Sequence, residues 1–142
     1  MQISKIIDVR EMEKKNYHLF VNIFINKLPC RLLIDTGASK TVFDIERALH
    51  FITHGQITHQ AAHSVGLSNI RIDTKLVTLK KWEIGKLNVS RHEVALLPLA
   101  HINEMYREIG IPEVDGVLGS DFLMKFNAII HYKKWIIKLS KK

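Results

Sequence analysis

At 142 residues the chain has the length of one domain and can bury a core of its own. Hydrophobic residues make up 46% and charged residues 25%, an ordinary soluble balance, and no apolar run approaches the ~20 residues of a membrane-spanning helix. The formal charge of +7 is spread along the chain, clustering only at Lys14-Lys15, Lys80-Lys81, Lys133-Lys134 and Lys141-Lys142. With no nucleic-acid-binding motif beside it, this charge reads as a solvated basic surface, so neither nucleic acid nor a membrane is expected as partner. Residues 1–10 carry Lys5, Asp8 and Arg10 and lack the apolar centre of a secretory signal, which points to a cytoplasmic location. The single cysteine, Cys30, excludes an internal disulfide and fits a reducing compartment.

The predicted elements are mostly strands. Residues 18–25 are almost continuously apolar, which suits a strand buried on both faces. Asn26-Lys27 reads as a two-residue hairpin turn, with Asn tolerating a left-handed backbone. Residues 28–34 return as a strand. A short strand is expected at 40–43, and Asp44 is placed to cap a short helix at 45–50. The polar stretch 56–73, with Gly66 at its centre, suits a mobile hairpin. Residues 75–84 and 87–97 read as paired strands around Gly85-Lys86. Ile102, Met105, Tyr106 and Ile109 recur at helical spacing over 100–109, with Gly110 at the C-terminal cap and Pro112 just beyond. Val117-Leu118 is a short buried strand, Ser120 is expected to cap a helix at 121–126, and a last hairpin pairs 128–132 with 135–139. The class is therefore mostly β, with two or three short helices in a single domain spanning 1–142.

The residues that carry chemistry are Leu33-Ile34-Asp35-Thr36-Gly37-Ala38, an apolar run entering an Asp-Thr-Gly turn. About 80 residues later comes a second apolar run ending in glycine, Gly116-Val117-Leu118-Gly119. Two carboxylates about 3 Å apart cannot both ionise, so they share one proton. The ionised member then takes a proton from water, while the protonated member hydrogen-bonds the substrate carbonyl. Such a pair titrates as a unit. The chain has no second Asp-Thr/Ser-Gly: Asp73-Thr74 is followed by Lys75, and Asp115-Gly116 lacks the hydroxyl residue. A second Asp35 must then come from another copy, and a homodimer is expected. Gly37 allows a tight turn and close approach of substrate. Thr36 offers a hydroxyl that can brace the turn against its counterpart.

Together the two motifs resemble the retropepsin-like aspartic proteases, and more closely their bacterial single-domain members. The resemblance is strongest over 32–43 and 97–139, and Val114 to Leu123 is similar to the family's second signature. It implies a closed β-barrel-like lobe, a homodimer with the site on its two-fold axis, flap hairpins over the cleft, and peptide-bond hydrolysis without metal or organic cofactor. Catalysis would fall to Asp35, Thr36 and Gly37, and substrate binding to Ala38, Gly66 and Val117. The chain departs from the family at three places. The flap candidate around Gly66 is not glycine-rich, Ser39 stands where retroviral enzymes carry a second acid, and His131 stands where bacterial relatives often have one. Ala38, unlike the Ser or Thr of pepsin-like enzymes, cannot donate to the carboxylate pair, which predicts activity nearer neutral pH than pepsin's.

Other readings compete with these. His50, His54, His59 and His63 are spaced four, five and four apart, with no cysteine nearby, and read as flap-region histidines rather than metal ligands. Cys30 reads as a small core residue, and Trp82 and Trp135 as core or interface residues. The segments 2–9 and 135–139, apolar and at the chain ends, are candidates for a shared interface sheet. The alternative function is a non-catalytic peptide-binding or scaffold domain of the same fold.

Overall fold

The computed structural model describes residues 1–52, 58–64 and 71–141, and in 58–64 and 71–74 the backbone alone. Eleven strands are β1 (Gln2–Ile6), β2 (Asp8–Glu13), β3 (Asn16–Ile25), β4 (Leu28–Ile34), β5 (Val42–Asp44), β6 (Thr58–Ser64), β7 (Arg71–Ile84), β8 (Leu87–Leu97), β9 (Gly116–Leu118), β10 (Ile129–His131) and β11 (Ile136–Ser140). Two α-helices, α1 (Ala100–Glu108) and α2 (Ser120–Lys125), and a 3-10 turn at Arg47–His50 complete the described residues.

Six strands close into a barrel in the order β3-β4-β9-β5-β8-β7, and β7 returns to β3 through Phe24↔Glu83 and Ile25↔Trp82. Closure needs a corner in the long strand β7. Lys81 supplies it with φ 60°, and its carbonyl accepts the Asn26 N–H at 3.0 Å. β2 and β6 extend the sheet on either side of the barrel. Alternate residues of β3 and β4 fill the interior: Val21, Ile23, Ile25, Cys30, Leu32 and Ile34 are all buried. Trp82, fully buried, stacks on Phe122 at 5.3 Å and meets Phe43 edge-on at 5.9 Å, while its Nε1–H donates to the Leu79 carbonyl.

The hairpin turns are formed where their residues predict. Asn26 and Lys27 both take positive φ (52° and 66°), the twist that matches paired strands. Gly85 does the same between β7 and β8 at φ 58°. Other predicted bounds shift. The strand expected at 40–43 is 42–44, and the helix at 45–50 is the shorter Arg47–His50 turn. Glu46, not Asp44, holds its cap position; Asp44 lies two residues earlier, where Oδ2 accepts the Glu46 and Arg47 N–H groups and Oδ1 accepts the Leu99 N–H at the start of α1. Ser120 is the first residue of α2 rather than its cap, and Gly119 holds the cap position.

The chain ends form a separate three-stranded sheet, β1-β11-β10. β11 lies in the middle, so the two terminal segments pair with each other within one protomer. One face is buried through Ile3, Ile137 and Leu139. The other exposes Ile6 (76%) and Ile129 (51%), with Trp135 (54%) and Tyr132 (63%) beside them in the β10–β11 connection. The two tryptophans thus divide: Trp82 belongs to the core and Trp135 to the surface. No helix among the described residues is long and apolar enough to cross a membrane.

Candidate active site

Asp35 follows the last residue of β4. Its position is set by β9, which runs parallel to β4 with Leu32↔Gly116, Leu33↔Val117 and Ile34↔Leu118 in register. The Asp35 N–H donates to the Leu118 carbonyl at 3.0 Å, extending that pairing by one residue. The turn then closes on itself: the Gly37 N–H donates to Asp35 Oδ1 at 2.9 Å and the Ala38 N–H to the Asp35 carbonyl at 3.2 Å. Asp35, Thr36 and Gly37 are exposed, while Leu32 and Ile34 beneath them are buried. The backbone at Gly37 is not left-handed, and an added Cβ would stand in tight contact, 3.3 Å from Asp35 Oδ1.

Below the turn the second motif crosses closely. A Cβ on Gly119 would lie 2.8 Å from the Ala38 and Lys40 carbonyl oxygens, and one on Gly116 would collide with the Val42 carbonyl. The Ser120 N–H donates to the Ala38 carbonyl at 2.7 Å, so the Asp-Thr-Gly turn hangs directly from the start of α2. A buried polar chain holds the crossing. Thr41 Oγ1 accepts the Gly119 N–H and donates to Asp121 Oδ1, and Asp121 Oδ2 meets His92 Nε2 at 2.9 Å. Burial alone would raise the Asp121 pKa, but the hydrogen bonds from His92 and Thr41 outweigh it and hold the carboxyl at about 2, below its ordinary 3.8. A depressed carboxylate stabilises the fold above its unfolded pKa and loses that contribution as pH falls through the folded one. Acidification from about pH 3.8 to about 2 should therefore remove about 2 kcal/mol of stability that Asp121→Asn does not lose, read from urea midpoints against pH.

Asp35 opens into a cleft of about 290 Å³, lined also by Tyr17, His18, Leu19, Leu33, Ile34, Thr36, Ile130 and Tyr132. One wall is therefore the hairpin β3–β4 and another is the chain-end sheet. His18 was not among the candidate residues, although its place follows from the sequence. The Asn26-Lys27 turn fixes Ile25↔Leu28 through Leu19↔Ile34, and the next position in that register sets His18 against Asp35. What no local signal could show is its partner. Tyr106 of α1, fully buried, places its hydroxyl 2.9 Å from His18 Nδ1. α1 thus reaches the cleft only through Tyr106, which stands behind His18 and does not itself line it.

The remaining candidate residues are distributed as follows. Ala38 is half-buried, and its carbonyl is engaged by Ser120. Val117 is buried in β9 between Leu33 of β4 and Val42 of β5, and is not part of the cleft wall of a single protomer. Gly66 lies outside the described residues, as does His54, while His59 and His63 stand on β6 with only their backbone described. Cys30 is buried, and burial with the Asp115 carboxylate beside it pushes its thiol well above the ordinary range, as suits an inert core residue.

The sequence model of the aspartyl protease family matches residues 21–122, from β3 through the second motif into α2. The chain belongs to that family. Its fold is retropepsin-like: it is similar to the crystal structure of a retropepsin-like aspartic protease from Rickettsia conorii, with a TM-score of 0.59 and 20% identity, over 99% of this chain and 94% of that one. None of the curated proteins compared with the chain matches it.

Proposed function

We propose that the protein is an aspartic endopeptidase active as a homodimer, in which two Asp35 carboxylates share a proton and activate water. The observation that carries this reading is the placement of Asp35. It stands exposed at the end of β4, on a turn braced from below by Leu118, Gly119 and Ser120, in a cleft walled on one side by the chain-end sheet. That sheet supports the dimer, because its outer face leaves Ile6 and Ile129 in water and Trp135 and Tyr132 beside them. Tyr132, in the β10–β11 connection beside that face, also lines the cleft. Thr36 then braces one turn against the other. Val117, Ala38 and the segment around Gly66 are proposed to contribute to substrate binding once the second copy is in place. No metal or organic cofactor is proposed, and a reducing, cytoplasmic setting is supported by the lone buried Cys30.

The test is cleavage of a diverse peptide mixture over about pH 4 to 7.5, a span that covers both limbs of a shared-proton profile. The rate should rise faster than linearly with protein concentration and peak nearer neutrality than pepsin's, because Ala38 leaves the ionised pair without a hydroxyl donor. Folded protein that cleaves nothing at any concentration would favour the scaffold reading.

The interface is tested by point substitution rather than by removing 135–142, because β11 buries Ile137 and Leu139 and its loss would unfold the sheet. Ile6→Asp puts a charge on the exposed face without touching the core. It should leave the unfolding free energy of the monomer within about 0.5 kcal/mol of wild type. It should also raise the dimer dissociation constant at least tenfold by sedimentation, the cost of burying an unpaired carboxylate in an interface.

A further inference from the structure

We propose that His18 determines specificity, its ring N–H donating to an acceptor side chain, carboxylate or amide, of a peptide bound beside Asp35. The inference rests on the reading of Asp35 as the catalytic group. It begins with Tyr106. That side chain is fully buried, and burial, eased by the Arg31 charge and reinforced by Asp35, pushes its phenol up to about 12, so the hydroxyl keeps its proton at any pH where the protein works. Among the described residues its one hydrogen-bond partner is His18 Nδ1, at 2.9 Å. With no other acceptor among the described residues, the phenol donates to Nδ1, and the ring then presents its N–H at Nε2.

The ring is also held in place. Tyr106 meets it edge-on at 5.8 Å and 86°, and Phe20 flanks it at 6.4 Å. Nε2 has no partner among the described residues. A donor on a ring held by its neighbours thus stands in the cleft that contains Asp35, against apolar walls of Leu19, Leu33, Ile34 and Ile130. Tyr17 and Tyr132 also reach the cleft, but each is more than half exposed and no hydrogen bond between described residues holds it. A preorganised donor rewards an acceptor without an ordering cost, and an apolar side chain laid over it leaves the donor unpaired. Sites built to hydrogen-bond a substrate group reject analogues that lack it.

Peptide-library cleavage by wild type, His18→Leu, His18→Gln and Tyr106→Phe tests this. Wild type should favour Glu, Gln, Asp or Asn over Leu or Met at one subsite by about tenfold in kcat/KM. His18→Leu should lose that preference, with acceptor peptides cleaved more slowly and apolar ones faster. His18→Gln, which keeps an N–H donor, should restore part of it. Tyr106→Phe should weaken it through KM, because the ring is no longer held. A His18→Leu profile identical to wild type would overturn the inference. A second measurement does not depend on turnover: in Asp35→Asn protein, a Glu-containing peptide should shift the His18 Nε2 resonance, and an unmoved resonance overturns the inference. Wild type that cleaves nothing while the resonance still shifts would sink the catalytic reading and leave the binding role of His18 standing.

Discussion

Asp35→Asn should reduce peptide hydrolysis by about a thousandfold or more while leaving the fold intact. The fold is spared for a local reason. The Asp35 side chain is exposed, and its one hydrogen bond within the turn, from the Gly37 N–H, is equally available to an Asn carbonyl. Stability should stay within about 0.5 kcal/mol of wild type. The chemistry is not spared, because an amide neither accepts a proton from water nor shares one with a partner carboxyl. Mixing sharpens the result. If each active unit needs Asp35 from two chains, equal amounts of wild type and variant, allowed to exchange, leave about a quarter of the dimers with both carboxylates. Activity per wild-type chain should then fall to about half. An enzyme working as a monomer would keep its full activity per wild-type chain, and the homodimer proposal would fail.

Gly119→Ala should produce a large loss of stability from a single added methyl beside the site. The added carbon would lie 2.8 Å from the Ala38 carbonyl oxygen and from the Lys40 carbonyl carbon and oxygen, all of them backbone atoms that no rotamer change can move aside. The strand end and the turn must separate, which breaks the Ser120-to-Ala38 hydrogen bond and the Gly119-to-Thr41 hydrogen bond together. Overpacking of this kind costs about 1 to 3 kcal/mol, and each lost buried hydrogen bond adds about 1 kcal/mol more. Activity should fall even at temperatures where the variant remains folded, because Asp35 hangs from the same crossing. Gly85→Ala is the control. It is strained by its φ of 58° but meets nothing within 4 Å, so it should cost about 1 kcal/mol and leave activity alone. Urea unfolding alongside peptide cleavage separates the two variants, and equal loss of activity in both would remove the argument that the crossing positions the turn.

Several features of the fold were legible because they are written in neighbouring residues. The β3–β4 hairpin follows from an apolar run, a two-residue turn with Asn at its first position, and a second apolar run of matching length. Those same residues carry Asp35 to a strand end and place His18 opposite it. The helix over 100–109 was legible for a similar reason: one stripe of apolar residues followed by Gly110, which takes φ 76° where the helix ends. The strand β2 was not read, because Asp8 to Glu13 alternates too weakly and pairs only at the edge of β3.

Sequence reasoning paired the two motifs by resemblance, but their physical relation needed the fold. The parallel register of β4 with β9 joins residues about 80 apart, and no turn chemistry specifies such a contact. It depends on Gly116 and Gly119 being small enough to let two backbones meet, which shows only when both are in place. The same holds for Tyr106 and His18, 88 residues apart, and for the chain-end strands, which pair with each other rather than standing open. Local backbone preference and periodicity act over a few residues and survive in any context. Contacts across the barrel exist only after loop closure has brought distant segments together and the core has selected one register, so the carboxylate was visible in the chain while its supports and its neighbours were settled by packing.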